Sequence, residues 1–598
     1  MKKVIFLFLI QILFAQNEDL ITFNLKNPIV VSASRFPVSF LHSARSVAVL
    51  DSAQLAQLPV TSVQEALEYI FGVDLLQRGS PGVQADINLR GAGYEQVLIM
   101  IDGVNLNDPQ TGHHNLNLTL PLNAVDRIEV MKGAGSRLYG PGAMGGVINI
   151  ITRKAKKKNL ALTFKGGDYR FFETMAALDL KFNNHSHSFY LNQSSSAGFL
   201  HNTDFKNYIF GYKNELTFAA HKAGLMAGFK DIDFGANRFY HPSFPDQREK
   251  TQTTFFKANV ELNFKNLQLT PKVFWRHHND DFILDATRPE WYHNKHRTDV
   301  WGSEIVTNFA SLWGQTSLLA SWRLKQIKSN NLGNHQRAEI GFSAEYQFTW
   351  HQWQFTIGSS FFNYQGWGWQ VNPGLDIAFQ LRSNWVLFTS TGKGFRPPSF
   401  TELYYSSPAN KGNLHLKPEE SIDFEIGSRW QWQQVGWALA LFQRHAKNLI
   451  DWKFDETGNY WQVQNIGRLN TRGIELNTQW IFANFLINKM EFAYTYLTTQ
   501  RLKTDYVSKY ALNHLKYQAG LRLSQNLGIP HFFLQWFLKY QQHLDKKELI
   551  LADVHLQCQF KKVLVFTDIS NLFNRRYEDF ISVPLPGRWF KMGVKFNL

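Results

Sequence analysis

From Asn159 to the C-terminal Leu598, apolar side chains return at every second position, as in Ile422-x-Phe424-x-Ile426, Val435-x-Trp437-x-Leu439-x-Leu441 and Phe590-x-Met592-x-Val594-x-Phe596-x-Leu598. A period of two belongs to β-strands with one apolar side. The positions between carry Asp, Glu, Gln, Arg, Asn, Ser, Thr and small residues, and turn-forming stretches such as Glu456-Thr457-Gly458-Asn459 separate the segments. Over so long a stretch, with almost no helical signal, two architectures fit. A soluble sheet of this extent needs a second layer to cover its apolar side. A membrane barrel turns that side to lipid and pairs every strand edge by closure. Composition favours the barrel: the chain has 50 Phe, 21 Tyr and 18 Trp but only 19% charged residues, below the roughly 25% usual in soluble domains. A secreted all-β binding protein is the weaker alternative.

The N-terminus agrees with export. Two lysines, an apolar run from Val4 to Leu13 and Phe14-Ala15-Gln16 follow the order of a signal peptide, placed at residues 1–15. After it no run of 18 or more apolar residues occurs, so any crossing of a membrane is made by strands. A tilted spanning strand with its share of connections takes about 20 residues, so residues 159–598 correspond to about 22 strands. The expected fold is a 22-stranded antiparallel transmembrane barrel whose lumen is wide enough to need a plug. A 16-stranded porin would require longer loops and has no use for a separate N-terminal domain.

That domain is expected over residues 36–158, after an N-terminal segment at 16–35. Thr61 and Ser62 stand three residues before Gln64 and Glu65, and Leu67, Ile70 and Phe71 follow at helical spacing, so a short helix is expected from Ser62 to Phe71, ending at Gly72. Asp86–Arg90, Val97–Val104, Val125–Met131 and Gly146–Thr152 read as strands separated by glycine-marked turns. This is a small α+β domain.

Several functions are excluded or disfavoured. The formal charge of +15 is dispersed, its one basic run being Lys154, Lys156, Lys157 and Lys158, and export argues against nucleic acid as a partner. The single Cys558 forms no internal disulfide and no cysteine-based metal centre. The glycine-rich stretch Ser136–Thr152 has no Gly-Lys-Ser/Thr end and is not read as a phosphate loop. No Ser/His/Asp or paired-acid spacing stands out, so no catalytic residue and no catalytic cofactor are assigned, and no metal ligands either. The pairs His113-His114, His277-His278 and His293-x-x-His296 are the imidazoles best placed for a metal, but adjacent histidines on a strand point to opposite sides.

The order of motifs resembles that of TonB-dependent outer-membrane receptors. Asn27-Pro28-Ile29-Val30-Val31-Ser32-Ala33-Ser34-Arg35 is similar to the family's energy-coupling box. Gln84–Gly91, Val97–Val104, Val125–Gly133 and Ser136–Thr152 are similar to its plug motifs, and Gly392–Tyr404, Asn413–Glu419, Val565–Tyr577 and Pro586–Phe590 to its late barrel segments. The usual aromatic last residue is absent, since Asn597 and Leu598 follow Phe596. The resemblance implies a bacterial outer-membrane importer of a large, scarce nutrient, with the TonB energy-transduction complex and outer-membrane lipid as partners. It implies that Pro28, Ile29, Val30, Val31, Ser32 and Ala33 couple to TonB by strand addition. Arg90, Glu129 and Arg137 are the charges expected to anchor the plug to the wall.

Chain length and the Asp102–Asn107 loop resemble the short cobalamin receptors. Asn105, Asn107, Asp108 and Gln110 then become hydrogen-bonding candidates for an amide-fringed corrin, and Trp291 and Tyr292 loop contacts to the same ligand. A ferric siderophore or haem is the alternative, so the cargo is expected to contain cobalt or iron. Haem is disfavoured because Ser406–Asn413 contains no histidine, and His415 is displaced from the family's usual place. A plugged adhesin or signalling receptor ranks lower, since only a short stretch separates Gln16 from Asn27.

Overall fold

The computed structural model describes residues 28–32, 34–36, 38–455, 458–482, 486–501, 509–510, 513–527, 531–544 and 546–598. The expected signal peptide, residues 16–27, Ala33 and the Glu456-Thr457 half of one expected turn lie outside the described residues.

The described residues contain a closed barrel of 22 antiparallel strands. Its first strand, Asn159–Gly167, pairs with its last, Trp589–Asn597, from Ala161 opposite Asn597 to Gly167 opposite Lys591, so the sheet has no free edge. One rim is made of tight connections, including the two-residue turns 183–184, 219–220, 351–352, 433–434 and 561–562. The first residue of each (Asn183, Ala219, His351, Gln433, Lys561) takes the positive φ that a tight hairpin demands. The opposite rim carries longer connections. One holds the helix Phe400–Tyr404, and another the hairpin Ile450–Asp455 with Tyr460–Asn465, which Asn410–Lys411 joins as a third strand.

The alternation in sequence becomes an inversion in space. Along Glu419–Trp432, Ile422, Phe424 and Ile426 are 49%, 50% and 60% exposed, while Ser421 and Glu425 are 2% and 6% exposed. A water-soluble sheet buries the first set and exposes the second. Here the apolar side faces outward around the whole wall and the polar side faces a filled lumen, which settles the choice for the membrane barrel.

The lumen is filled by residues N-terminal to the first barrel strand. Five strands form a sheet in the order Val47–Asp51, Val125–Lys132, Gly146–Thr152, Val97–Ile101, Val104–Asn105, the third and fourth being parallel. Val73–Arg78 and Gln84–Leu89 form a separate hairpin. The expected strand Val97–Val104 is broken by a two-residue turn at Asp102 and Gly103, both at positive φ, the mirror-image turn that fits a twisted hairpin. Asp102 fixes that turn by accepting from the Thr152 backbone N–H at 2.9 Å and its hydroxyl at 2.6 Å. The expected helix is shorter than its sequence pattern. Ser62 caps Val63–Ala66 by accepting from Glu65 N–H, but the helix tightens to a 3-10 turn over Leu67–Tyr69, after which Ile70 enters the core and Phe71 lies against Gly520 as the chain turns into Val73–Arg78.

Plug and wall share one core. Val63, Leu67, Ile99 and Ile150 of the plug pack in a cluster with Tyr190, Phe255, Phe274 and Phe537, which the wall directs inward. The fit is close: a Cβ at Gly520 of the wall would stand 2.1 Å from the Phe71 ring.

The inversion makes a quantitative prediction. Ile426→Arg, on the outer side in the middle of its strand, is expected to lower barrel stability in lipid by about 2–4 kcal/mol. Denaturant titration of the heat-modifiable folded band in vesicles measures it; a change below about 0.5 kcal/mol, as for a water-facing site, would contradict the lipid-facing assignment.

Candidate functional site

Three regions of the plug carry the chemistry. The first is the segment expected to couple to energy, which lies at the rim of tight turns. Ile29–Val30 is paired with Val38–Ser39, so one edge of the segment expected to add to a partner strand is taken by the chain's own backbone. Glu129 accepts from the backbone N–H of Val31 and of Ser32, both at 2.9 Å, and from the Ser32 hydroxyl at 2.7 Å. Tyr139 donates to the carbonyls of Val31 and Ser32, and Asn149 to the Ser32 hydroxyl at 3.2 Å. Val30 and Ser32 are buried; Ile29 is 53% exposed. Glu129 was expected among the contacts to the wall. Its carboxylate is instead taken up within the N-terminal domain, by this segment and by Arg127 Nε at 2.8 Å.

The second region is the boundary between plug and wall. Arg90 reaches Glu475 at 2.8 Å and Glu425 at 3.3 Å, and Lys132 reaches Glu475 at 3.2 Å. Arg137 reaches Asp376 at 2.7 Å and Glu345 at 3.0 Å, and Arg45 reaches Asp376 at 2.9 Å. In both clusters the plug supplies the cations, the wall supplies the carboxylates, and every partner is buried. Arg90 sits at positive φ and its guanidinium also stacks on Phe442, 4.0 Å from the ring centre. Arg45 and Lys132 were not singled out by sequence, because nothing local distinguishes a lysine that ends a plug strand from a solvated one.

The third region is a cavity of about 210 Å³ between the plug and the long-loop rim. Its floor is the plug turn Gly91–Gln96 with Gln110–His114, and its walls come from the outer ends of barrel strands and the connections between them. Tyr94 stacks on His113 at 4.4 Å, and Tyr510 meets both rings edge-on at 5.8 Å. Tyr405 meets Trp452 at 6.2 Å on the other side. Arg396, held by Glu402 at 2.8 Å and Glu419 at 2.6 Å, sits beside Glu95. Burial and the nearby Glu402 push Glu95 up to about 8 against the pull of Arg396. Burial opposes charge on His114, but Asp280 and Glu249 outweigh it and lift the ring to about 9. The surface is an aromatic box with polar and charged corners, suited to a large ligand that offers both flat apolar area and hydrogen-bonding groups.

Of the six ligand contacts expected from sequence, only Gln110 lines this cavity. Asn105 accepts from Asn107 N–H at 2.8 Å; Asn107 accepts from Ile99 N–H at 2.8 Å and donates to Val97 O at 2.9 Å. These amides build the plug turn rather than face a ligand. Asp108 pairs with Arg276 of the wall and accepts from the Thr298 hydroxyl at 3.2 Å. Trp291 lies in an outer loop under the Arg288 guanidinium, and Tyr292 meets the Tyr405 hydroxyl at 3.1 Å, behind the cavity wall. The residues that sequence missed are Tyr94, Glu95, Tyr240, Phe282, Arg396, Tyr405, Trp452 and Tyr510. Tyr94-Glu95-Gln96, directly after the Gly91-Ala92-Gly93 turn, is the one local signal that marked an apex.

Breaking the boundary tests its energetic weight. Arg90→Ala leaves Glu475 and Glu425 with less compensation and is expected to destabilise the seated plug by about 3–5 kcal/mol. Calorimetry in detergent should show a plug transition at lower temperature with the barrel transition unmoved; coincident loss of both would mean that plug and wall unfold as one unit.

Comparison with known proteins agrees with this architecture. The family described as TonB dependent receptor-like, beta-barrel matches residues 151–545, and the TonB-dependent Receptor Plug Domain matches residues 41–147. The chain is 25% identical over 473 residues to the vitamin B12 transporter BtuB of Vibrio vulnificus, covering 75% of each chain. It is 24% identical over 474 residues to that of Photobacterium profundum, again covering 75% of each. Among solved structures, the siderophore receptor PirA from Acinetobacter baumannii superposes with a TM-score of 0.77 at 16% identity, over 92% of this chain and 98% of that one. The FrpB iron transporter from Neisseria meningitidis superposes with a TM-score of 0.78 at 14% identity, over 93% and 100%.

Proposed function

The chain belongs to the TonB-dependent receptor family of outer-membrane transporters, and from that premise we propose that it imports a corrinoid of the cobalamin class. The observation that carries this reading is the sequence likeness to vitamin B12 transporters over three quarters of both chains. The cavity is compatible with it. A corrinoid presents a flat macrocycle and a fringe of amides, and the Tyr94, His113 and Tyr510 rings beside Gln110, Thr111 and Asn294 offer aromatic area and neutral hydrogen-bonding groups together. The iron-related neighbours share the fold at 14–16% identity, and fold does not carry a cargo with it.

Uptake on this reading is driven by TonB through residues 28–33, once the chain, exported on a signal peptide at 1–15, stands in the outer membrane. The support is the position of Ile29–Val30 at the tight-turn rim and its small tether. Pulling Val31 and Ser32 free breaks three hydrogen bonds to the single carboxylate of Glu129, a change that a strand-adding partner can offset with its own main-chain bonds. The protein itself makes and breaks no covalent bond in this process.

Two measurements follow. Isothermal titration of the purified receptor with cyanocobalamin, haemin and a ferric catecholate chelate should show the cobalamin bound at least about 100-fold more tightly than either iron ligand. Tight binding of the chelate with none of cobalamin would reverse the assignment. Deleting Ile29–Val31 should leave surface binding intact while abolishing cellular accumulation of labelled cobalamin; accumulation at the wild-type rate would remove these residues from energy coupling.

A further inference from the structure

His114 of the plug and Glu249 and Asp280 of the wall bring one ligand atom each to within 4.8 Å of one another, and all three side chains are buried. They come from the plug turn after Thr111 and from the outer ends of the adjacent strands Arg248–Asn263 and Leu267–Ile283. His114 Nε2 is 3.2 Å from Asp280 Oδ2, and Nδ1 is 4.0 Å from Glu249 Oε1.

Neighbouring groups already hold one oxygen of each carboxylate. Tyr240 donates its hydroxyl to Glu249 Oε2 at 2.8 Å, and Gln110 donates its amide to Asp280 Oδ2 at 2.8 Å. The remaining oxygens, Glu249 Oε1 and Asp280 Oδ1, accept no hydrogen bond from the described residues. A fourth group stands beside them: the ring of His278 lies 4.7 Å from that of His114, is wholly buried, and has its Nδ1 engaged by the Thr253 hydroxyl at 2.9 Å while its Nε2 has no partner among the described residues. Buried polar atoms left unsatisfied in this way are costly to desolvate. A proton shared between His114 and Asp280 accounts for that one pair and leaves the other three atoms unserved. A cation among the three residues would take up such unshared lone pairs, and a hydroxyl and an amide hydrogen-bonded to the carboxylates are partners of the kind that orient metal ligands.

We propose that His114, Glu249 and Asp280, with His278 beside them, form a binding site for a divalent transition-metal ion that joins the plug to the barrel wall at the floor of the outer cavity. Two carboxylates and imidazole nitrogen suit a zinc-like ion better than calcium or magnesium, which take oxygen alone. Such an ion would fasten the Thr111–Asn115 turn to two wall strands, and its site is independent of which cargo is carried.

The test uses the full-length mature receptor without a histidine tag, freed of metal with a chelator and then titrated with Zn²⁺ alone. One equivalent is expected to bind well above the background of surface histidines, and Co²⁺ in its place should give visible absorption bands of a low-coordinate nitrogen and oxygen site. The pair Glu249→Gln with Asp280→Asn should lower affinity at least about 100-fold, and Tyr240→Phe about 10-fold, as loss of an outer partner does. Retention of the heat-modifiable band shows that each variant is folded. Should the double variant not fold, zinc-edge anomalous diffraction from the wild-type receptor decides alone: a peak among His114, Glu249 and Asp280 supports the site. Zinc peaks only elsewhere, or stoichiometric binding unchanged in folded variants, would overturn it.

Discussion

A strand set in hydrocarbon has no water for its N–H and C=O groups, so every one must bond to another strand. All else in this molecule follows from that demand. It forces the sheet to close on itself, and Asn159–Gly167 meets Trp589–Asn597 to do so. Closure at 22 strands leaves a lumen too wide for side chains of the wall to fill. A separate domain fills it, and the wall meets that domain with its polar side, since its apolar side is already turned to lipid.

That last point shapes the boundary. A hydrophobic interface of such size would be permanent. Here Arg45, Arg90, Lys132 and Arg137 of the plug face Glu345, Asp376, Glu425 and Glu475 of the wall. Buried ion pairs give orientation more than net stability, because desolvation offsets much of their attraction. They hold the plug in one register while keeping the alternative, in which water replaces each partner, within reach of mechanical work. Beneath this layer, at the tight-turn rim, a second cavity of about 320 Å³ reaches from Pro28 to Lys132, Glu475 and Arg522. The boundary therefore has open space on both of its sides, and the pairs of Glu475 lie next to the inner one.

The barrel was legible in the sequence because alternation is a local property that repeats: each strand restates it, and the strand number follows from length alone. Plug strands were legible from the glycine-marked turns between them, since strands such as Val97–Ile101 are buried on both faces and do not alternate. Arg90 and Arg137 were reachable only through motif resemblance, since their partners lie hundreds of positions away. Asn105, Asn107 and Asp108 misled because short polar side chains in a loop look alike whether they meet a ligand or cap their own turn; here Asn107 N–H claims Asn105, Ile99 N–H and Val97 O claim Asn107, and Arg276 claims Asp108. The outer cavity was the least legible. Tyr94, Tyr240, Arg396 and Tyr510 come from separate turns and strand ends, and only closure of the barrel brings them together. His114 and His278 belong to pairs that drew notice as pairs, yet each is placed by a partner on another element and not by its neighbour in sequence.

The pairing of the first barrel strand with the last also bears on how the plug comes to lie inside the wall. Ala161 and Asn597 stand at the two ends of the wall's sequence, so closing the seam carries a large loop-closure cost. The domain that occupies the lumen is synthesised before any of the wall. With Gly520 lying flat against Phe71 and buried charges of the plug facing charges of the wall, entry through a finished ring would strip those charges of water before their partners were met. The wall is therefore best understood as being wrapped around its occupant, with the seam as the clasp.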